Sequence, residues 1–152
     1  MRGRGWAAVL LAMLAVLWGA AGHLETRPTD HRAYQETAAR AASAAHDAVA
    51  TAQLTGRADL AGRLYHRYVR STLDDARDAL AGAARQFASK TPPDPPTARL
   101  RDRLASQLTV ASARLGDVQT AVDTGDRAAL QRSVADLAPV VDQLAAFVEE
   151  NQ

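Results

Sequence analysis

Leu100–Val122 reads LRDRLASQLTVASARLGDVQTAV. Its residues Leu100, Leu104, Leu108, Ala111, Leu115, Val118 and Val122 recur at steps of four or three. That is the period of one apolar face of an α-helix, with polar side chains on the remaining positions. Such a stripe must be buried against other elements, and the neighbouring sequence supplies three more of the same kind. Downstream, Leu130, Val134, Leu137, Val141, Leu144 and Val148 continue the rhythm. Thr124-Gly125 separates the two stripes and predicts a tight turn, because glycine stops one helix and a polar residue starts the next. Pro139 removes one backbone donor and predicts a bend in the last helix.

Upstream, Ser89–Thr97 (SKTPPDPPT) holds four of the six prolines. No helix is expected to cross it, and Thr97 is the expected cap of the helix that follows. Before it, Leu73, Ala76, Leu80, Ala83 and Phe87 form a second stripe, with Leu60, Leu64 and Tyr68 on a face further upstream. The stripe shifts between Tyr68 and Leu73, which predicts a kink or break around Arg70–Ser71. Earlier still, Tyr34, Ala38, Ala41, Ala45, Ala48 and Ala52 make a seam mostly of alanine. Asp30 is its expected N-cap, and Gly56 its expected stop. Helices are therefore predicted over 30–54, 57–88, 98–123 and 126–149, with no strand. Short turns between long helices give an all-α, up-down-up-down four-helix bundle. Thr55–Leu60 (TGRADL) and Thr124–Leu130 (TGDRAAL) echo each other. Shared turn chemistry explains that echo better than a duplicated hairpin does.

The beginning of the chain has a different character. Arg2 and Arg4 precede an apolar run, Trp6–Trp18 (WAAVLLAMLAVLW), followed by small residues to Gly22. Basic residues stay on the cytoplasmic side, so this is an export signal or an anchor. The strict run has 13 residues, and extension to Leu24 gives 19. A secretory core has about 7–15 apolar residues and a spanning helix about 17–25, so both readings stay open. The bundle is thus preceded by one N-terminal hydrophobic helix: residues 1–24 are a signal peptide or membrane anchor, 25–29 a linker, and 30–152 the helical domain. The localisation expected is extracytoplasmic, either on the cell membrane or secreted. With no cysteine in the chain, no disulfide supports the exported part, and its apolar core must hold it alone.

Composition narrows the function classes. All 17 acidic residues follow Gly22, against 16 of the 18 basic ones, so the exported part is close to neutral. It has no basic excess to attract nucleic acid. Alanine accounts for 35 residues, and all basic residues but Lys90 are arginine. His31 and His46 share a helix, yet their 15-residue separation puts them about 22 Å apart along its axis, too far for one metal. No carboxylate–histidine spacing of a di-metal bundle occurs. No metal, cofactor or catalytic residue is expected. Asp74, Asp75 and Asp78 form an acidic turn that Arg70 and Arg77 can neutralise. One cluster offers either a binding surface or a solvated helix face whose charge neighbouring helices balance: Arg63, Arg67 and Arg70 at steps of four and three, beside Tyr65 and Tyr68. Arginine rows with aromatic neighbours suit anionic groups or a partner protein.

The leader, RAYQETAA at Arg32–Ala39, TGRADL at Thr55–Leu60 and LDDARDAL at Leu73–Leu80 together resemble small alanine- and arginine-rich exported helical proteins of high-GC actinobacteria. That resemblance implies a membrane-anchored or secreted bundle and assigns no functional residue. The pattern is also similar to the ligand-binding bundle of bacterial membrane sensors, without their second spanning helix or output module. The function expected is a non-catalytic accessory or interaction module with a membrane or cell-envelope partner. The alternative is a small-ligand-binding bundle whose cavity Tyr65 and Tyr68 would line. Contact with the membrane itself would run through residues 6–24 if they are retained.

Overall fold

The computed structural model describes residues 30–151, and the leader and linker lie outside them. Four helices make up the described chain: α1 His31–Leu60, α2 His66–Ala88, α3 Pro95–Thr124 and α4 Arg127–Glu150. No strand occurs among the described residues, and no described helix is long and apolar enough to cross a membrane. The helices form a bundle around one core that draws on all four. The expected stripes of α3 and of the main part of α2 face that core: Leu104, Leu108, Ala111, Leu115, Val118 and Val122 of α3 are buried, as are Leu73, Ala76, Leu80, Ala83 and Phe87 of α2, whereas Tyr68 of the expected upstream face is exposed.

α1 and α3 each meet all three other helices, whereas the backbones of α2 and α4 do not come close. The buried face of α1 is largely alanine (Ala38, Ala42, Ala45 and Ala52 among them). Small side chains let helix axes approach closely, so the leucines of α3 reach α1 across the bundle. One close approach is at Gly56. A Cβ there would sit 2.4 Å from Val134 Cγ2 of α4. Gly56 is therefore a crossing point inside α1 and not the end of the helix that its Thr-Gly context suggests.

α1 instead runs six residues beyond Leu54 and stops at Gly62, whose φ is +67°. Gly62 N donates to Asp59 O (2.8 Å) and Arg63 N to Ala58 O (3.0 Å). That pair of bonds is the Schellman closure, with glycine in the left-handed conformation. Gly125, at φ +68°, closes α3 in the same way: its N–H donates to Val122 O and Asp126 N–H to Ala121 O. The matching turn glycines are thus Gly62 and Gly125, so the echo between TGRADL and TGDRAAL does not mark equivalent turns. The predicted break at Arg70–Ser71 is absent as well. Those residues lie within α2, and the interruption is the connector 61–65 before it.

α3 starts earlier than expected. Asp94 is its N-cap and Pro95 and Pro96 occupy the first turn, where a missing N–H costs nothing. Thr97 is the third residue of the helix: its N–H donates to Asp94 Oδ1 (2.8 Å), and its hydroxyl accepts from Asp94 N (3.2 Å). In α4 the core seam passes through Val140 and Phe147, leaving Val141 and Val148 half-buried. Either choice keeps a helical period, and the bulk of Phe147 decides between them. α4 continues through Pro139. Beside it, the amide oxygen of buried Gln53, assigned toward α4, accepts from Ala138 N at 3.1 Å. A side chain of α1 thereby reaches the backbone of α4 next to the proline.

Contacts define two ends. His31 bonds Asp94, Tyr34 packs on Phe87, and Arg103 pairs with Glu150. At the other end Arg127 donates to Leu60 O, and Arg70 pairs with Asp123. These are called the His31 end and the Gly62 end.

Candidate functional site

The five predicted site residues gather at the Gly62 end, but not on one helix face. Arg63 and Tyr65 belong to the connector that follows Gly62, and Arg67, Tyr68 and Arg70 belong to the first turns of α2. The Schellman closure orders the start of this connector, and Leu64 tucks against the core while its neighbours point outward. Tyr65 is the N-cap of α2 but supplies no side-chain cap, and the first turn of α2 contains no acidic residue. The exposed amide dipoles there favour negative charge.

Exposure separates the five residues into two kinds. Tyr65 is 88% exposed and Tyr68 is 59% exposed. They are the only tyrosines outside the core, because Tyr34 is completely buried. Both rings lie in solvent, so the interior cavity that a small-ligand reading asks of them is not formed. Arg63 and Arg67 are exposed and make no ion pair among the described residues. Arg70 differs: its Nε lies 2.9 Å from Asp123 Oδ1 of α3. The expected neutralisation of Arg70 by the acidic turn of its own helix does not occur. Asp74 instead accepts from Gln119 Nε2 at 3.0 Å. Arg70, Leu73, Asp74, Gln119 and Asp123 line a recess of only ≈ 30 Å³, about the share of one water. The candidate surface is therefore Arg63, Tyr65, Arg67 and Tyr68, with Arg70 fastening α2 to α3 beneath it.

A polar node at the His31 end joins residues that lie far apart in the sequence. His31 Nδ1 lies 2.8 Å from Asp94 Oδ2, joining the first residue of α1 to the N-cap of α3. The Thr97 backbone N–H, the His31 ring and the Thr97 hydroxyl together lower the Asp94 carboxyl to about 2. Nearby, the hydroxyl of buried Tyr34 has no hydrogen-bond partner among the described residues. Burial raises its pKa, Arg101 opposes that shift and Asp102 adds to it. The signal for the node was present in Asp94-x-x-Thr97, a reciprocal capping box whose first two helical residues are proline.

Surface grooves follow the seams between helices. One of ≈ 480 Å³ between α1 and α2 has a floor of Ala41, Ala44, Gly82 and Ala83, flanked by Arg40 and Lys90. No group of three His, Asp or Glu side chains arranged to hold a metal occurs among the described residues. No protein-family model, curated protein sequence or solved structure matches the chain.

Proposed function

We propose that this protein is a non-catalytic, extracytoplasmic interaction module: an up-down-up-down four-helix bundle exported or tethered by its N-terminal hydrophobic segment. One observation carries the interaction reading. Tyr65 and Tyr68 stand in solvent beside Arg63 and Arg67, which have no ion-pair partner among the described residues. Tyrosine and arginine are the residue types that concentrate binding energy at protein interfaces. A tyrosine held at 88% exposure contributes nothing to the core of its own chain. Export is supported by Arg2, Arg4 and the apolar run Trp6–Trp18. On this reading the segment that leaves the membrane enters α1 at the His31 end, and the tyrosines face away from the membrane.

Two measurements test the proposal. A reporter that works only outside the cytoplasm, fused after Gln152, is expected to be active, and activity of a strictly cytoplasmic reporter at that site refutes export. Replacement of Arg63, Arg67 and Arg70 by glutamine is expected to leave a folded protein that no longer retains its cell-envelope partner in a pull-down. Retention equal to the parent assigns these arginines to an ordinary solvated surface.

A further inference from the structure

We infer that the Gly62 end docks an acidic segment of a partner protein; this rests on reading that end as the interaction surface. The charge inventory favours an anionic partner. Two acids at this end are already engaged, Asp123 with Arg70 (2.9 Å) and Asp126 with the backbone N–H of Ala129 (2.9 Å), and Asp59 of the Gly62 closure makes no ion pair with either Arg63 or Arg67 among the described residues. Arg63 and Arg67 have no such partner among the described residues, and α2 begins without an acidic residue or a side-chain cap. An incoming carboxylate therefore meets two exposed guanidinium groups, which bind carboxylates with paired donors, and a favourable helix end.

The arrangement also selects among anionic partners. An anchoring bilayer would lie beyond the His31 end, and the 30 residues of α1 set the patch about 45 Å from it. Its headgroups are thus out of reach. A long polyanion gains affinity by neutralising many charges along a basic track. Here the two arginines of the patch lie within five residues of a nearly neutral domain, and the next arginine along α2, Arg70, is consumed internally. Two exposed tyrosines within the same segment add rigid apolar area with a polar tip, which a protein surface uses and a phosphate polymer does not. The patch is compact and amphipathic, and it fits a short run of Asp or Glu interspersed with apolar residues.

The test selects short random peptides, displayed on phage, against the full-length chain. Recovered peptides are expected to be rich in Asp and Glu. Their binding is expected to fall at least about tenfold in the Arg63→Gln/Arg67→Gln variant and in Tyr65→Ser/Tyr68→Ser, and to hold in Arg99→Gln. Circular dichroism checks that each variant stays helical. Should a variant lose helicity, salt decides: binding to the parent chain weakens between low and physiological ionic strength if carboxylates carry it, and stays level otherwise. Peptides without acidic enrichment that still depend on Tyr65 and Tyr68 overturn the acidic partner and leave the interaction surface standing. Peptides indifferent to both double variants overturn both. Tighter retention of inorganic polyphosphate or of phosphatidylglycerol vesicles than of the peptides also overturns the inference, in favour of a polymer or a lipid.

Discussion

Both ends of the bundle carry aromatic rings, and the two sets have opposite fates. At the His31 end Tyr34 is 0% exposed and Phe87 2% exposed, with ring centroids 5.7 Å apart. Phe147 is buried there too, beneath the Arg103 guanidinium at 4.8 Å. At the Gly62 end Tyr65 and Tyr68 stand in solvent. Residue type does not explain the difference, because Tyr34 belongs to both the buried set and the tyrosines. The neighbours do. Tyr34 lies on the buried face of α1, and Phe87 approaches it from α2. Tyr65 instead lies in a connector whose path is set by the Gly62 closure, and Leu64 takes the inward position. One end uses its aromatics to close the core, and the other leaves them for a partner.

The sharpest way to break that contrast is to remove one ring from each end. Phe87→Ala is expected to cost about 3–5 kcal/mol, because it opens a cavity that the surrounding helices fill only in part. Tyr65→Ala is expected to change stability by less than about 0.5 kcal/mol, as for other exposed positions. Urea unfolding followed by circular dichroism measures both. Similar losses for the two would show that Tyr65 packs in solution and would remove the basis for a docking surface.

The glycines permit a second, smaller comparison. Gly56→Ala drives a Cβ to 2.4 Å from Val134 Cγ2. Forced separation of α1 and α4 is expected to cost about 1–3 kcal/mol, and pairing it with Val134→Ala is expected to recover part of that. Gly62→Ala meets no atom within 4 Å but keeps a φ of +67°, so its expected cost of about 1–2 kcal/mol is purely conformational. A Val134→Ala background is expected to leave the Gly62 effect unchanged. Rescue of both substitutions by the same background, or of neither, would show that Gly56 is not a packing glycine.

These glycines also mark where the sequence was readable and where it was not. The stripes of α2 and α3 were legible because bulky leucines at helical spacing have only one burial solution. Gly56 was not, because its requirement comes from Val134, 78 positions later, and the local Thr-Gly signal matches Thr124-Gly125. A finer signal does distinguish the two. Gly125 is followed at once by Asp126, which caps the next helix. Gly56 is followed by Arg57-Ala58, which cannot cap anything. The register of α4 after Leu137 was ambiguous because Val140 and Val141, like Phe147 and Val148, are both apolar. At the candidate surface the residue types were legible, but the placement of Arg63 in the connector and of Asp123 against Arg70 depends on how the chain closes.

The smallest expected effect concerns the polar node that holds the His31 end together, and its sign follows from linkage. The Asp94 carboxyl is lowered from 3.8 to about 2 in the folded protein, chiefly by the Thr97 backbone N–H and then by His31. A carboxyl depressed on folding contributes stability that is fully present above its unfolded value. That contribution is lost as the pH falls from near 4 toward 2, where the folded protein also takes up the proton. Asp94→Ala removes both the cap of α3 and the His31 contact, so it is expected to lower the melting temperature at pH 5. The gap between variant and parent should narrow on acidification through this window, because protonated Asp94 no longer attracts the ring or favours the helix end. Tyr65→Phe, at the opposite end, has no carboxylate to lose and should show no such convergence. A gap for Asp94→Ala that stays constant from pH 5 to pH 2 would mean that the carboxylate charge does not stabilise the fold, and that the side chain acts there through the neutral geometry of its cap.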